Sequence, residues 1–366
     1  MKDFNIAPKG SISDIAPYVP GEAKTSSTDP IRLASNENTH GPSPKAVQAY
    51  IETAKDLHRY PDGGSVELRE KLAEKYQLNA NNIVCGTGSD ELINLLTICY
   101  AREGDEVLYS EFGFLMYPIA AQITGATAVK APEPIRQTDV TEILKSVTDK
   151  TKIVFLANPN NPTGYTLSKD KIVALRKELR EDILLVLDGA YAEFVCADDY
   201  TDGAEMVEQF GNVVMLRTFS KMYGLSSLRV GWAYCPPDVA TNLNRTRGVF
   251  NVNLAAQKAA VAALEDEQYT SQCKADNKEI RNWFASELET LGVKVYPSEA
   301  NFLLVSLGSE SKANACDTYL KQKNILIRKT ASYNLPDCLR ITIGVKEEMD
   351  KVLDAIKSFI SEYKDD

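Results

Sequence analysis

Lys221 stands one residue after Ser220 and eight before Arg229 in the stretch TFSKMYGLSSLRVGW, residues 218–232. The preceding run, VVMLRTF (213–219), is apolar enough for a buried strand. The serine and lysine would then emerge at its end, followed by a glycine-containing turn and the arginine. An amine, a hydroxyl and a guanidinium thus come within reach of one bound phosphate. Pyridoxal phosphate (PLP) needs such surroundings, because a lysine can anchor it as a Schiff base while the hydroxyl and guanidinium neutralise its phosphate. Read alone, the stretch fits a surface turn with two ordinary cations equally well, so other segments must decide.

The elements that would position this lysine are short apolar runs alternating with helical patterns. They are IVC (83–85), EVLY (106–109), ATAVK (126–130), KIVFLA (152–157), ILLVLD (183–188), VVMLR (213–217) and RVGWAYC (229–235). This alternation predicts an α/β fold whose mostly parallel sheet is covered by helices on both faces. Beyond residue 253 the pattern changes to long helices, then short strands near VKVY, NFLLVS, ILIR and LRITIG, and a closing helix over 346–363. We read this part as a smaller α+β domain. The chain therefore divides into an N-terminal arm (1–28), a large cofactor-binding domain (29–262) and a small domain (263–366). Within RYPDGGSVELRE, Ser65 is the expected helix N-cap, and Tyr60 sits on an exposed loop before the break.

Composition narrows the partners. The 366 residues carry 41 Lys and Arg against 51 Asp and Glu, a net charge of −10, which disfavours unspecific binding to nucleic acid or anionic membrane. Any anionic ligand must be drawn by local cations. Seven cysteines without CxxC spacing and only two histidines support neither a disulfide framework nor a metal site. No run reaches the roughly 18 apolar residues of a membrane span, so a reducing cytoplasm is the expected compartment.

Four loops at strand ends carry polar residues that an open sheet would present together. In GTGSDELINLL, two glycines permit close backbone approach, and Ser89 and Asp90 would open a helix whose free amides bind phosphate; a plain N-cap is the simpler reading. In NPNNPTG (158–164), two prolines stiffen a loop presenting Asn161, which could donate to the ring oxygen of a pyridoxal, although such residues often only make turns. In DGAYAEF, Asp188 ends an apolar strand and is costly to bury without a cation, which a protonated pyridine nitrogen would supply. Tyr191 adds a second hydroxyl for the ring oxygen. The fourth loop is the Lys221 stretch.

Together GTGSDELI, NPNNPTG, DGAYAEF and TFSKMYGLSSLRVGW resemble the fold-type I, class II PLP-dependent aminotransferases. LASNENTHGPSP, HRYPDGGSVELRE and IRKTASYNLPDCLRITIG extend the likeness along nearly the whole chain. The resemblance implies Lys221 as covalent anchor, Asp188 at the pyridine nitrogen, and Tyr191 and Asn161 at the ring oxygen. Ser89, Asp90 (through its amide), Ser220 and Arg229 would line the phosphate cup, and Phe112 in SEFGF would stack on the ring. Tyr60 would reach the phosphate of the neighbouring subunit's cofactor, which implies a homodimer with shared sites. Arg340 would clamp a substrate α-carboxylate, Asn36 would border it, and Arg328 and Tyr18 would lie near the distal group of the substrate. Ser226–Ser227 departs from the family's usual Ala-Gly there and leaves the local turn open.

The implied reaction alternates an amino donor and 2-oxoglutarate in one site, with Lys221 as general base and acid. Side-chain specificity is open between a phosphorylated donor and an aromatic amino acid. A threonine-phosphate decarboxylase shares the fold, and a cofactor-sensing regulator domain would need an added DNA-binding segment.

Overall fold

Twelve strands form two sheets in this computed structural model, which describes residues 8–15 and 29–363. The strands are β1 (Ile31–Leu33), β2 (Ile83–Gly86), β3 (Glu106–Ser110), β4 (Thr127–Ala131), β5 (Thr151–Ala157) and β6 (Leu184–Asp188), then β7 (Val213–Thr218), β8 (Gly231–Tyr234), β9 (Lys294–Val295), β10 (Phe302–Ser306), β11 (Ile325–Lys329) and β12 (Cys338–Thr342). The larger sheet has the order β2-β8-β7-β6-β5-β3-β4. Only β8 runs antiparallel to its neighbours.

The central strands read as continuous apolar runs because helices cover both faces of the sheet. Alternate residues enter opposite cores, as the two-residue period of a strand requires. Val154, Leu156, Leu185, Leu187 and Met215 face one core, while Ile153, Phe155, Val186, Val214 and Leu216 face the other. The carboxyl ends of β5, β6 and β7 are level, with Ala157 opposite Asp188 and Asp188 opposite Leu216. The loops carrying Asn161, Asp188 and Lys221 therefore leave the sheet side by side.

The smaller sheet has the order β1-β11-β12-β10-β9. Its core includes Phe284, Leu288, Leu320, Ile341, Val352 and Phe359 from the sheet and the helices on it. The helix Glu267–Thr290 serves both units: Cys273 enters the larger core and Ile280, Phe284 and Leu288 the smaller one. Among the described residues no helix is long and apolar enough to cross a membrane.

Two expectations are corrected. Residues 31–33, assigned by sequence to the large domain, pair with β11 in the smaller sheet; a three-residue strand is too short for its pattern to name its partner. Ser65 precedes its helix at φ 47° and makes no side-chain cap bond, since a capping hydroxyl needs the extended backbone that this residue lacks. Asp62 does the work instead, accepting the Gly64 and Val66 N–H groups at 2.8 and 2.7 Å. Those bonds hold its carboxyl below the usual range.

Candidate active site

A cavity of about 400 Å³ lies where the carboxyl ends of β5–β7 face the smaller sheet. One corner is built for an anion. The helix Ser89–Tyr100 begins there, and its first N–H groups have no partner within the helix. Gly88, at φ +86°, precedes it; a Cβ there would stand 2.3 Å from Arg229 Nη2 and 2.2 Å from Asp90 Oδ1. A Cβ on Gly231 would stand 2.5 Å from the Ser89 nitrogen. The two glycines thus let the guanidinium and the helix start close on one small volume.

Arg229 follows the 3₁₀ turn Ser226–Leu228 and itself adopts φ 57°. It donates to Asp90 Oδ1 at 2.6 Å, to Ser220 Oγ at 3.3 Å and to the Ser226 carbonyl at 3.1 Å. The Asp90 carboxylate is therefore committed to aiming the arginine. Ser226 contributes through its backbone, which resolves the turn that sequence left open.

Asp188 is buried at the end of β6. It accepts from the Tyr117 hydroxyl at 2.8 Å and from the Ala190 N–H at 3.2 Å. Burial raises its pKa, and those two donors oppose the rise. No basic side chain pairs with it among the described residues, so it offers a buried negative charge to a cationic ligand atom.

Lys221 Nζ donates to the Ser35 carbonyl at 2.9 Å and lies 5.9 Å from the centre of the Tyr191 ring. Burial, and then the cation of Arg340, lower its pKa to about 8. The Tyr191 hydroxyl accepts from Asn36 Nδ2 at 2.9 Å, and burial pushes its pKa up. Arg340 is buried, with Nη1 on Asn161 Oδ1, Nη2 on the Ala34 carbonyl at 2.8 Å, and Nε without a partner. Because the Asn161 oxygen is taken, its amide NH₂ remains to donate. Asn158 fixes that loop by exchanging bonds with Leu167 N–H and C=O at 2.8 and 3.2 Å. Arg328 is the cross-strand neighbour of Arg340.

Ser89, Asp90, Asn161, Asp188, Tyr191, Ser220, Lys221, Arg229, Asn36, Arg328 and Arg340 all line the cavity. Phe112 does not, which corrects the stacking expectation. Its ring is buried with Tyr296, Leu304, Tyr333, Leu335 and Cys338, while Phe114, two residues on, reaches the cavity. Tyr60 is 82% exposed and stacks on Phe250 with centroids 4.6 Å apart, away from this chain's own cavity. Tyr18 lies outside the described residues. Sequence reasoning missed Phe114, Tyr117, Tyr333 and the carbonyls of Ala34 and Ser35. Tyr117 alone had a signal, a phenol in an apolar helix start that needs a buried partner.

A phosphorylated ligand with a cationic ring nitrogen, a ring oxygen and an aldehyde matches this donor set: the helix-start corner, Asp188, the Asn161 and Tyr191 pair, and Lys221. The family model for aminotransferase class I and II matches residues 28–356. The chain is 49% identical to the histidinol-phosphate aminotransferase of Rhodospirillum centenum over 96% of its length and 98% of that protein. It is 50% identical to that of Paramagnetospirillum magneticum, over 97% and 98%. The solved histidinol-phosphate aminotransferase from Sinorhizobium meliloti, in complex with pyridoxal-5′-phosphate, matches with a TM-score of 0.90 at 28% identity, covering 99% of this chain and 98% of that one.

Proposed function

From the premise that this chain belongs to the class I and II aminotransferases, we propose that it is a PLP-dependent histidinol-phosphate aminotransferase. It would convert L-histidinol phosphate and 2-oxoglutarate to imidazole-acetol phosphate and L-glutamate, as a cytoplasmic enzyme of histidine biosynthesis. The observation that carries the reading is the convergence of Lys221, buried Asp188 and the anion corner on a cavity that also holds two arginines on paired strands.

PLP, when bound, supplies an electron sink for the pair left behind as the donor's Cα–H bond breaks. Ser89, Ser220, Arg229 and the amides of the helix start would hold its phosphate. Asp188 would hold the ring nitrogen, and its bonds from Tyr117 and Ala190 favour the ionised form that a pyridinium needs. Asn161 and Tyr191 would donate to the ring oxygen, and Phe114, which lines the same cavity, would offer an apolar face to the ring. Lys221 would be the residue that holds the cofactor's aldehyde carbon, and its amine, in the neutral form, would take the proton from the substrate Cα. A pKa of about 8 makes its neutral form accessible near neutral pH.

Arg340 binds the α-carboxylate of glutamate or 2-oxoglutarate as a planar fork. Arg328 meets the distal acid group, which in the other half-reaction is the donor's phosphate, with Asn36 bordering the site. Two substrates alternating in one site predict ping-pong kinetics. Tyr60 would serve the partner's cofactor in a homodimer. The exposed apolar residues Tyr50, Ile51, Leu57, Val249 and Phe250 support an interface on that side of the chain.

A panel of amino donors against 2-oxoglutarate tests the assignment. Histidinol phosphate should exceed phenylalanine in kcat/KM. Arg328→Ala should lose about 1.5–3 kcal/mol with the phosphorylated donor and little with phenylalanine, the scale of hydrogen bonds to a charged group. Preference for phenylalanine would replace this reading with an aromatic aminotransferase, and equal losses on both donors would move the phosphate pocket away from Arg328.

A further inference from the structure

Arg136 sits in the loop after β4, on the larger unit, yet its side chain reaches the smaller one. Nη2 and Nη1 donate to Oδ1 and Oδ2 of Asp337 at 2.8 and 3.0 Å, and Nη1 also donates to the Tyr296 hydroxyl at 2.6 Å. The guanidinium carbon lies 5.5 Å from the centre of the Tyr296 ring. The side chains of the ion pair are 27% and 19% exposed, which separates this forked contact from an ordinary surface ion pair.

Both ends of the contact lead to the cavity. Asp337 immediately precedes β12, three residues before Arg340, and also accepts from Ser306 Oγ at 2.6 Å. The Thr330 hydroxyl contacts the carbonyls of Leu335 and Cys338, each at 2.8 Å, so the turn bearing Tyr333 hangs from the same strand start. On the arginine's own side, buried Glu133 accepts from the Phe112 N–H at 2.8 Å and the Thr138 hydroxyl at 2.7 Å. That ties the loop to the segment whose Phe114 lines the cavity. Phe112 then packs between the units, against Tyr296, Tyr333 and Leu335.

From these contacts we infer that Arg136 is a positioning residue for substrate binding, docking the start of β12 on the larger unit and thereby placing Arg340 and Tyr333. A bidentate partner must meet a guanidinium to within about 0.5 Å, so small movements of β12 fall on carboxylate affinity. Lys221, Asp188 and the anion corner make none of these contacts, so the chemical step is disturbed less than carboxylate binding is. The kinetic part of the inference rests on the proposed function; its structural part does not.

The test compares the cofactor-loaded protein with Arg136→Met, Arg136→Lys and Asp337→Asn. Arg136→Met should raise KM for 2-oxoglutarate and weaken the binding of unreactive succinate, each about tenfold, with kcat within about threefold and cofactor affinity unchanged. Amide hydrogen exchange over residues 330–342 should speed up. Arg136→Lys, a point charge without the fork, should fall between wild type and Arg136→Met. Arg136→Met with Asp337→Asn should be no worse than Arg136→Met alone, because the pair acts as one contact. If Arg136→Met does not fold, the lysine and asparagine variants carry the same comparison. Unchanged exchange and KM, a loss confined to kcat, or losses that add would each overturn the inference. A wild-type chain that does not transaminate would refute the proposed function instead, and hydrogen exchange would then decide the positioning role.

Discussion

Arg217 lies within β7, four residues before Lys221, with its side chain 4% exposed. Nη2 meets Glu193 Oε1 at 2.9 Å and Nη1 meets Asp202 Oδ2 at 3.0 Å. The guanidinium carbon also lies 5.2 Å from the Tyr76 ring and 5.9 Å from Trp232. Glu193 is two residues past Tyr191, so the ion pair joins the Tyr191 loop to the Lys221 strand. Arg217→Met keeps most of the packing volume and removes the charge. Asp202, at 35% exposure, can recover water. Glu193, at 10% exposure and with Oε2 already unpartnered, cannot. The cost is therefore that of one stranded buried carboxylate, about 3–5 kcal/mol. Arg217→Met with Glu193→Gln strands no charge and should lose only about 1–3 kcal/mol, the cost of an unmet polar group. Urea unfolding followed by the fluorescence of buried Trp232, in a Trp283→Phe background, reads the larger unit separately, since two units need not unfold together. A double variant as unstable as Arg217→Met alone would refute the argument, because the loss would then be one of packing.

Other outcomes test the site directly. Gly88→Ala would set a Cβ 2.3 Å from Arg229 Nη2 and force that guanidinium out of the anion corner, so it should weaken cofactor binding about tenfold or more; titrating apoprotein with PLP checks it, and unchanged affinity would remove the glycine from the anion corner. In the cofactor-free protein Lys221 should react with an amine-directed reagent at a rate that levels off just above pH 8. Its folded pKa lies below the ordinary 10.5, so the unfolded chain binds the extra proton between those values and stability rises with pH through that window. Peptide mass spectrometry of the modified lysine reads the first effect, and a rate still climbing at pH 10 would contradict the burial argument. Tyr60→Asp and Lys221→Ala chains, each nearly inactive, should recover up to about a quarter of wild-type activity when refolded together, because half the dimers then own one intact site. Absent recovery despite verified chain exchange would place Tyr60 outside a shared site.

The strand order of chemistry was legible because polar residues at the ends of apolar runs announce themselves: Asp188 closes ILLVLD and Lys221 follows VVMLRTF. What escaped is non-local or carries no residue signature. The Ser35 carbonyl that takes Lys221 Nζ is a backbone group, invisible to side-chain reasoning. Phe112 and Phe114 are chemically alike and share an irregular loop, so no periodicity could say which faces the ligand. Tyr117 and Asp188 are 71 residues apart, and Arg136 and Asp337 are 201 apart. Neither pair is implied until the sheets are assembled.

The strand β1 joins the smaller sheet through Ile31 opposite Ile325. During synthesis it emerges early, but its partner follows nearly three hundred residues later, roughly 15–60 s at about 5–20 residues/s. Over that interval the larger sheet can assemble while β1 waits unpaired. Ala34, Ser35 and Asn36, directly after β1, are the residues that meet Arg340, Lys221 and Tyr191. The binding cavity is thus completed late: a nascent chain that can already form the larger sheet still lacks a finished site until β1 closes on β11.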